Sequence, residues 1–217
     1  MHTNKKNNFI FNATFRDILS STIQSMKLRK GISDEDHLIA GCRDGKPWAQ
    51  KEIFELYASA MMSVCIRYVT DRETVKDILQ DGFIKVYTRI DTYQGTGSFA
   101  GWIRRIFVTT ALEYLRQHDA LKQSAPIEEY GHLIEDQDIT VLEKISADDL
   151  MDCIAKLPDG YRAVFNLYAI EGYTHVEIAG MLDISEGTSR SQFMRARKIL
   201  QKDVQDLIGH EHARQYK

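Results

Sequence analysis

The residues best suited to chemistry lie between Ser185 and Lys202. On a helix at about 100° per residue, Arg190, Ser191, Met194, Arg195 and Lys198 fall on one side. Ser189, Phe193, Ala196 and Leu200 fall on the other, with Arg197 on the flank. Guanidinium groups give paired hydrogen bonds to guanine edges, while Ser and Lys hold phosphates. An apolar stripe opposed by such a face suits a helix lying in the major groove of DNA. It equally describes an ordinary amphipathic helix with a solvated basic surface, so the punctuation around it decides. Thr174 and Glu177 have the spacing of a capping box, in which the hydroxyl takes the N3 amide and the carboxylate reaches back. Val176, Ile178, Ala179 and Leu182 follow as an apolar stripe. Asp183-Ile184-Ser185 breaks it; Ser185 is a good N-cap, and Glu186 suits the positive end of a second helix dipole. Two short helices joined by a tight turn, with the small Ala179 where they approach, read as a helix-turn-helix. Together the signals favour DNA binding.

Other chemistries find little support. No nucleophile–base pair or metal cluster is discernible, so the chain is expected to be neither an enzyme nor a cofactor binder. Cys42, Cys65 and Cys153 are widely separated with no CxxC, as befits reduced thiols of a cytoplasmic protein. His210, Glu211 and His212 are too sparse for a metal site. The 217 residues are 43% hydrophobic and 27% charged, which suits one or two soluble domains. No apolar run approaches a membrane span, and Phe9-Ile10-Phe11 is too short for a signal-peptide core. Only three prolines and no strand-like alternation point to an all-α chain. The net charge of −3 conceals segregation. Residues 1–32 carry six basic groups against Asp17, residues 127–152 carry nine carboxylates against Lys144, and residues 185–217 are basic again. Such a chain makes several different contacts.

The elements that must position these groups follow in order. Residues 1–13 are polar and Asn/Lys-rich, and read as disordered. An amphipathic helix then fits Phe15, Ile18, Leu19, Ile23 and Met26, with Lys27, Arg29 and Lys30 at its C-terminal end. It reads as an appendage packed on the next domain, ahead of a regulatory or partner-binding arm. Ser33 is placed to cap a helix reaching Cys42. After Asp44-Gly45-Lys46, Pro47 suits the first position of the next helix. Trp48, Ile53, Phe54, Leu56, Tyr57, Met61, Val64, Cys65 and Tyr68 supply it with core material. Thr70 or Asp71 caps a third helix to about Ile90. Its inner face is Val75, Ile78, Leu79, Phe83, Val86, Tyr87 and Ile90, and its outer face Asp77, Gln80, Asp81, Ile84 and Lys85. Residues 91–98 form a loop, and Ser98 caps a fourth helix carrying Phe99 and Trp102 among Arg104, Arg105 and Arg116. Aromatics beside arginines suit single-stranded DNA, or equally a core Trp with snorkelling arginines. Residues 119–146 read as an acidic linker. Helix resumes near Ser146 with Leu150, Ile154 and Leu157, and again after Pro158 with Tyr161, Val164, Phe165, Leu167 and Tyr168 as core.

Three blocks, in order, resemble the extracytoplasmic-function (ECF) sigma factors of bacterial RNA polymerase. DILQDGFIKVY at Asp77–Tyr87 is similar to region 2.2. SFAGWIRRIFVTTALEYLR at Ser98–Arg116 is similar to the segment that reads and melts the −10 element. The stretch from Leu157 to Leu200 resembles region 4, the −35 reader. The resemblance implies two helical domains joined by a flexible acidic linker, the second ending in a helix-turn-helix. It places a region 2-like domain at 33–118, a linker at 119–146, a region 4-like domain at 147–209 and a tail at 210–217. It implies binding to core polymerase through the β′ clamp helices and the β subunit, with Asp77, Gln80, Asp81 and Lys85 facing the clamp. It gives Arg190, Ser191, Met194 and Arg195 to the −35 element, supported by Thr188 and Lys198 at phosphates, and Phe99, Trp102, Arg105 and Thr109 to the melted −10 strand. An anti-sigma factor is a further expected partner. In the family the linker runs through the channels of the polymerase, where Glu128, Glu129, Glu135, Asp136, Asp138 and Glu143 suit a field built to hold RNA; a solvated tether explains the same charges.

The departures are specific. Gly82 stands where a larger aliphatic residue is usual, Thr109 where Asn is common, Glu113 where Asp is frequent, and Ser189 where an aliphatic is usual on the buried side of the recognition helix. The alternative reading is a free-standing helix-turn-helix regulator that acts without polymerase.

Overall fold

The computed structural model describes residues 32–118 and 146–215. All regular structure among them is helical, and no helix there is long and apolar enough to cross a membrane. These residues fall into two compact units. The N-terminal arm and residues 119–145, which carry the six linker acids named above, lie outside the described residues.

The first unit holds α1 (Ile32–Arg43), α2 (Pro47–Tyr68), α3 (Arg72–Thr88), a 3₁₀ turn (Ile90–Thr92) and α4 (Phe99–Gln117). Its helices begin where the capping chemistry places them. Pro47 opens α2, and Gly45 takes the positive φ that the preceding turn requires. Asp71, not Thr70, caps α3 by accepting from the Thr74 amide at 2.8 Å. The Ser98 hydroxyl accepts from Gly101 at 3.1 Å to start α4. α1 starts at Ile32, so Ser33 lies within its first turn.

The core is made by Ile53, Tyr57, Met61, Val64 and Tyr68 of α2, Val75, Ile78, Phe83 and Val86 of α3, and Phe99, Ile103, Phe107 and Leu112 of α4. α2 buries one long stripe, so Trp48, Phe54 and Leu56, expected in the core, are each more than two-fifths exposed. The Trp48 ring lies against His37 instead. The Tyr57 hydroxyl donates to Glu35 at 3.2 Å, and burial first, then the Glu35 charge, raises its pKa. Cys42, Cys65 and Cys153 are free and buried; burial pushes the Cys65 thiol up to about 12.

Gly82 has a steric reason. A Cβ built there would stand 2.3 Å from the Phe107 ring, and Phe107 is itself fully buried, edge-on to Phe83 at 5.1 Å. The helix accepts about 1 kcal/mol of lost propensity so that α3 and α4 can close on that ring. Gly82→Ala should therefore destabilise the protein despite its better propensity, because overpacking costs about 1–3 kcal/mol. A lower melting temperature, partly restored by adding Phe107→Leu, is the expected result.

The second unit holds α5 (Ala147–Lys156), α6 (Asp159–Phe165), a π-helical turn (Asn166–Ile170), α7 (His175–Leu182) and α8 (Glu186–Gln215). Ser146 caps α5, accepting from the Asp149 amide at 3.1 Å. Leu150, Ile154, Leu157, Val164, Phe165, Leu167, Ile178, Phe193, Ala196 and Leu200 make the core. The π turn, closed by Glu171 N–H donating to Asn166 O at 2.9 Å, inserts a wide turn that leaves Tyr168 only half-buried. Arg162 is 4% exposed. It donates to the carbonyls of Ala155 at 3.0 Å and Leu157 at 2.9 Å, and pairs with Asp159. α8 runs past residue 209 to Gln215.

Candidate nucleic-acid interface

α7 and α8 form the helix-turn-helix that the capping pattern predicts. Thr174 and Glu177 make the full reciprocal box, with the Thr174 amide donating to Glu177 at 2.8 Å. Asp183 ends α7 in the left-handed region, φ 54°, where a short polar side chain is tolerated. Ser185 caps α8 by accepting from the Thr188 amide at 3.0 Å. The turn between the helices is thus fixed by local bonds at each end. Val176, expected in the stripe of α7, is 64% exposed. It lies about 200° around the helix from Ile178, and Ile178 with Leu182 forms the buried line.

The outer face of α8 is only partly open to solvent. Arg190, Ser191 and Met194 are exposed, and Thr188, Arg195 and Lys198 are half-buried beside them. Arg190 Nε donates to Glu186 at 3.0 Å, a solvent-exposed pair one turn apart. The Thr188 hydroxyl lies 2.8 Å from that of Ser185, within the cap. Arg195 reaches towards the Tyr161 hydroxyl at 3.4 Å. Ser189, Phe193, Ala196 and Leu200 are buried opposite. The buried arc is wider than the pattern suggests: Gln192 and Arg197 are buried too, so Arg197 is no flank residue.

Beneath the recognition helix lies a contact that residue types alone did not disclose. His175 Nδ1 is 2.9 Å from Ser189 Oγ. The imidazole stacks on Tyr168 with centroids 4.3 Å apart and meets Phe193 edge-on at 5.8 Å. Burial, with Arg190 adding to it, lowers the His175 pKa, while Glu186 opposes them. The departure at Ser189 was the available signal; a buried hydroxyl needs a partner.

In the first unit, α4 separates the four residues expected at a melted strand. Arg105 is exposed, and Trp102 and Thr109 are half-buried. Phe99 is a correction: it is 1% exposed and packs within a cluster of rings. Tyr57 meets it edge-on at 5.8 Å, Tyr93 lies at 5.1 Å, and Trp102 stacks on it at 5.7 Å. The first position of α4 points into the unit, so Phe99 supports the Trp102 ring from below. The Thr109 hydroxyl donates to the Arg105 carbonyl at 2.8 Å.

On α3, Asp77, Gln80, Asp81 and Ile84 are exposed. Gln80 and Ile84 line a groove of about 380 Å³ with Phe54, Lys76, Leu79, Phe83 and Tyr87. Lys85 is the second correction. It is half-buried, its Nζ donating to Thr110 at 3.2 Å and to Glu113 at 2.5 Å. It ties α3 to α4, away from the outer face, because the α4 carboxylate lies within reach of its stem. That contact uses the longer acid at 113.

Comparison with known proteins finds relatives of both units. The model for "Sigma-70 region 2" matches residues 53–120, and that for "Sigma-70, region 4" matches residues 147–200. The ECF RNA polymerase sigma-E factor of Haemophilus influenzae is 29% identical over 181 residues, covering 79% of this chain and 95% of that protein. The sigma-E factor of Escherichia coli K12 is 31% identical over 162 residues, covering 70% and 84%. Among solved structures, the sigma factor RpoE in complex with the anti-sigma factor NepR from Bartonella quintana matches with a TM-score of 0.45 at 20% identity, covering 71% of this chain and 96% of that one. A region 2 match that runs from within α2 through α4, a capped helix-turn-helix matched as region 4, and sequence likeness running through both place the chain in the extracytoplasmic-function family of RNA polymerase sigma factors.

Proposed function

We propose that the chain binds core RNA polymerase, reads the −35 element of its promoters with the outer face of α8, and opens the −10 element with α4. It acts in the cytoplasm, as a specificity subunit without enzymatic activity of its own. The observation that carries the reading is the exposed Arg190–Ser191–Met194 face, set on a helix whose opposite side is anchored and whose turn is capped at both ends. Arg190, Ser191, Met194 and Arg195 contact bases, and Thr188 and Lys198 contact phosphates. Trp102, Arg105 and Thr109 meet the opened strand, with Phe99 as the platform under Trp102. The β′ clamp helices and the β subunit are the polymerase contacts, and an anti-sigma factor is a further partner. The exposed Asp77, Gln80 and Asp81, beside an apolar groove, suit the clamp helices; Lys85 steadies that face through Glu113. Residues 33–118, 119–146 and 147–209 serve as the polymerase-binding domain, the linker and the −35 domain.

Run-off transcription with purified core enzyme on genomic fragments tests the reading. Transcripts that start at defined sites only when the protein is present are expected. DNA binding of the free protein with no effect on core polymerase would favour the free-standing regulator instead. Within the same assay, Asp81→Lys should lower core affinity about tenfold, the effect of about 1.4 kcal/mol. Its folding stability should stay within about 0.5 kcal/mol, as for most exposed sites. A stable Asp81→Lys protein with full core affinity would remove α3 from the docking surface.

A further inference from the structure

We propose that the His175–Ser189 hydrogen bond is a specificity-positioning device: it sets the seat of the recognition helix and so the reach of Arg190 and Ser191 into the −35 element. The inference rests on the −35 reading proposed above.

The geometry is that of a clamp. Ser189 lies on the inner side of α8, fully buried, one residue before Arg190 and two before Ser191. Its hydroxyl is 2.9 Å from His175 Nδ1, and His175 is the first residue of α7. The bond therefore joins the start of one helix to the first turns of the other, away from the Asp183–Ser185 turn. The imidazole has little freedom, being stacked on Tyr168 and held edge-on by Phe193. Three elements, the π turn, α7 and α8, thus converge on one ring. A neutral imidazole offers one N–H and one lone pair, and a hydroxyl complements either. Such a bond has a preferred length and direction, which an aliphatic contact lacks. The N-terminal residues of a recognition helix are those that meet base edges. A reading site must be held to within about 0.5 Å, so a shift of α8 at Ser189 passes almost undiminished to Arg190. His175 and Ser189 touch no base in this scheme; they act through their neighbours.

The test separates positioning from packing. Three full-length variants, His175→Phe, Ser189→Ala and the double variant, are assembled with core polymerase. Each is assayed on a promoter found by run-off transcription and randomised over its −35 bases. Phe keeps the stacked ring without the nitrogen, and Ala removes only the hydroxyl. In the double variant neither group is left unpaired, so its melting temperature should return close to the wild-type value. The ratio of preferred to next-best −35 sequence should nonetheless fall about tenfold in all three, roughly the loss of one base contact. A double variant with restored melting temperature and an unchanged ratio would overturn the inference, since the bond would then be packing alone. So would single variants that keep the wild-type ratio. A wild-type holoenzyme indifferent to the −35 bases would overturn the underlying −35 reading, a failure visible before any variant is made.

Discussion

Replacing Arg190 and Arg195 together with Ala should weaken holoenzyme binding to its preferred promoter by about 2–6 kcal/mol, taking about 1–3 kcal/mol for each bidentate base contact. The two positions are five residues, roughly 7.5 Å, apart along α8, far enough for the effects to add closely. Neither arginine is locked elsewhere. Arg190 is tied to Glu186 by an exposed pair one turn away, and such pairs contribute only about 0.3–0.5 kcal/mol. The Arg195 contact with Tyr161 is long, at 3.4 Å. Both can turn to DNA at little cost. Base and phosphate contacts are separable by salt. An arginine reading a base leaves the salt slope nearly unchanged and relaxes preference at one position when removed. Lys198→Ala should instead weaken all sequences alike and lower the slope of log affinity against log salt by about 0.9. Binding across a −35 library at several salt concentrations measures both quantities. Full affinity in the double arginine variant would move the −35 contacts off this face.

Much of this face was legible from residue order because helix ends depend on local chemistry. Ser98, Ser146, Thr174 and Ser185 each accept from an amide three residues on, and a capping side chain needs no tertiary partner to act. The inward stripe of α8 was legible for the same reason: Phe193, Ala196 and Leu200 recur at helical spacing and are buried. What the pattern missed depends on neighbours distant in sequence. Periodicity assigns one face per helix, but α8 packs against α5, α6 and α7, so its buried arc takes in Gln192 and Arg197. The same rule promoted Phe54 and Leu56 into the core, although the other helices of the unit cover only one stripe of α2. The π turn at Asn166–Ile170 changes the period itself. Lys85 and Phe99 were misplaced because a long stem reaches an acid on another helix, and because the first position of α4 faces a cluster of rings. His175 and Ser189, 14 residues apart, meet only once the helix-turn-helix has closed.

Arg162→Ala should destabilise the second unit by about 3–5 kcal/mol, the range for breaking a buried charged pair. Sequence gave one hint, a single charge within the apolar run Tyr161–Phe165; its role comes from geometry. The last carbonyls of a helix have no partner inside it, and at the end of α5 the guanidinium supplies one to Ala155 and to Leu157. A cation there also complements the negative end of the helix dipole. Asp159, at the start of α6, balances the charge. Burial lowers the Arg162 pKa, and Asp159 works against that shift, yet guanidinium stays charged at any ordinary pH. The residue thus joins the end of α5 to α6, on which the buried side of α8 packs through Phe165 and Phe193, stacked with centroids 6.0 Å apart. Truncation strands two carbonyls and removes the stem from a site with almost no access to water. Asp159→Asn should cost less, because the Asp159 side chain is 36% open to solvent and the guanidinium keeps both carbonyls. Denaturant unfolding of the full chain, with probes in each unit, measures the difference. The second unit should lose its transition midpoint well before the first in Arg162→Ala, and promoter binding should fail at temperatures where core polymerase is still bound. Equal midpoints for Arg162→Ala and wild type would show that water replaces the guanidinium at the end of α5.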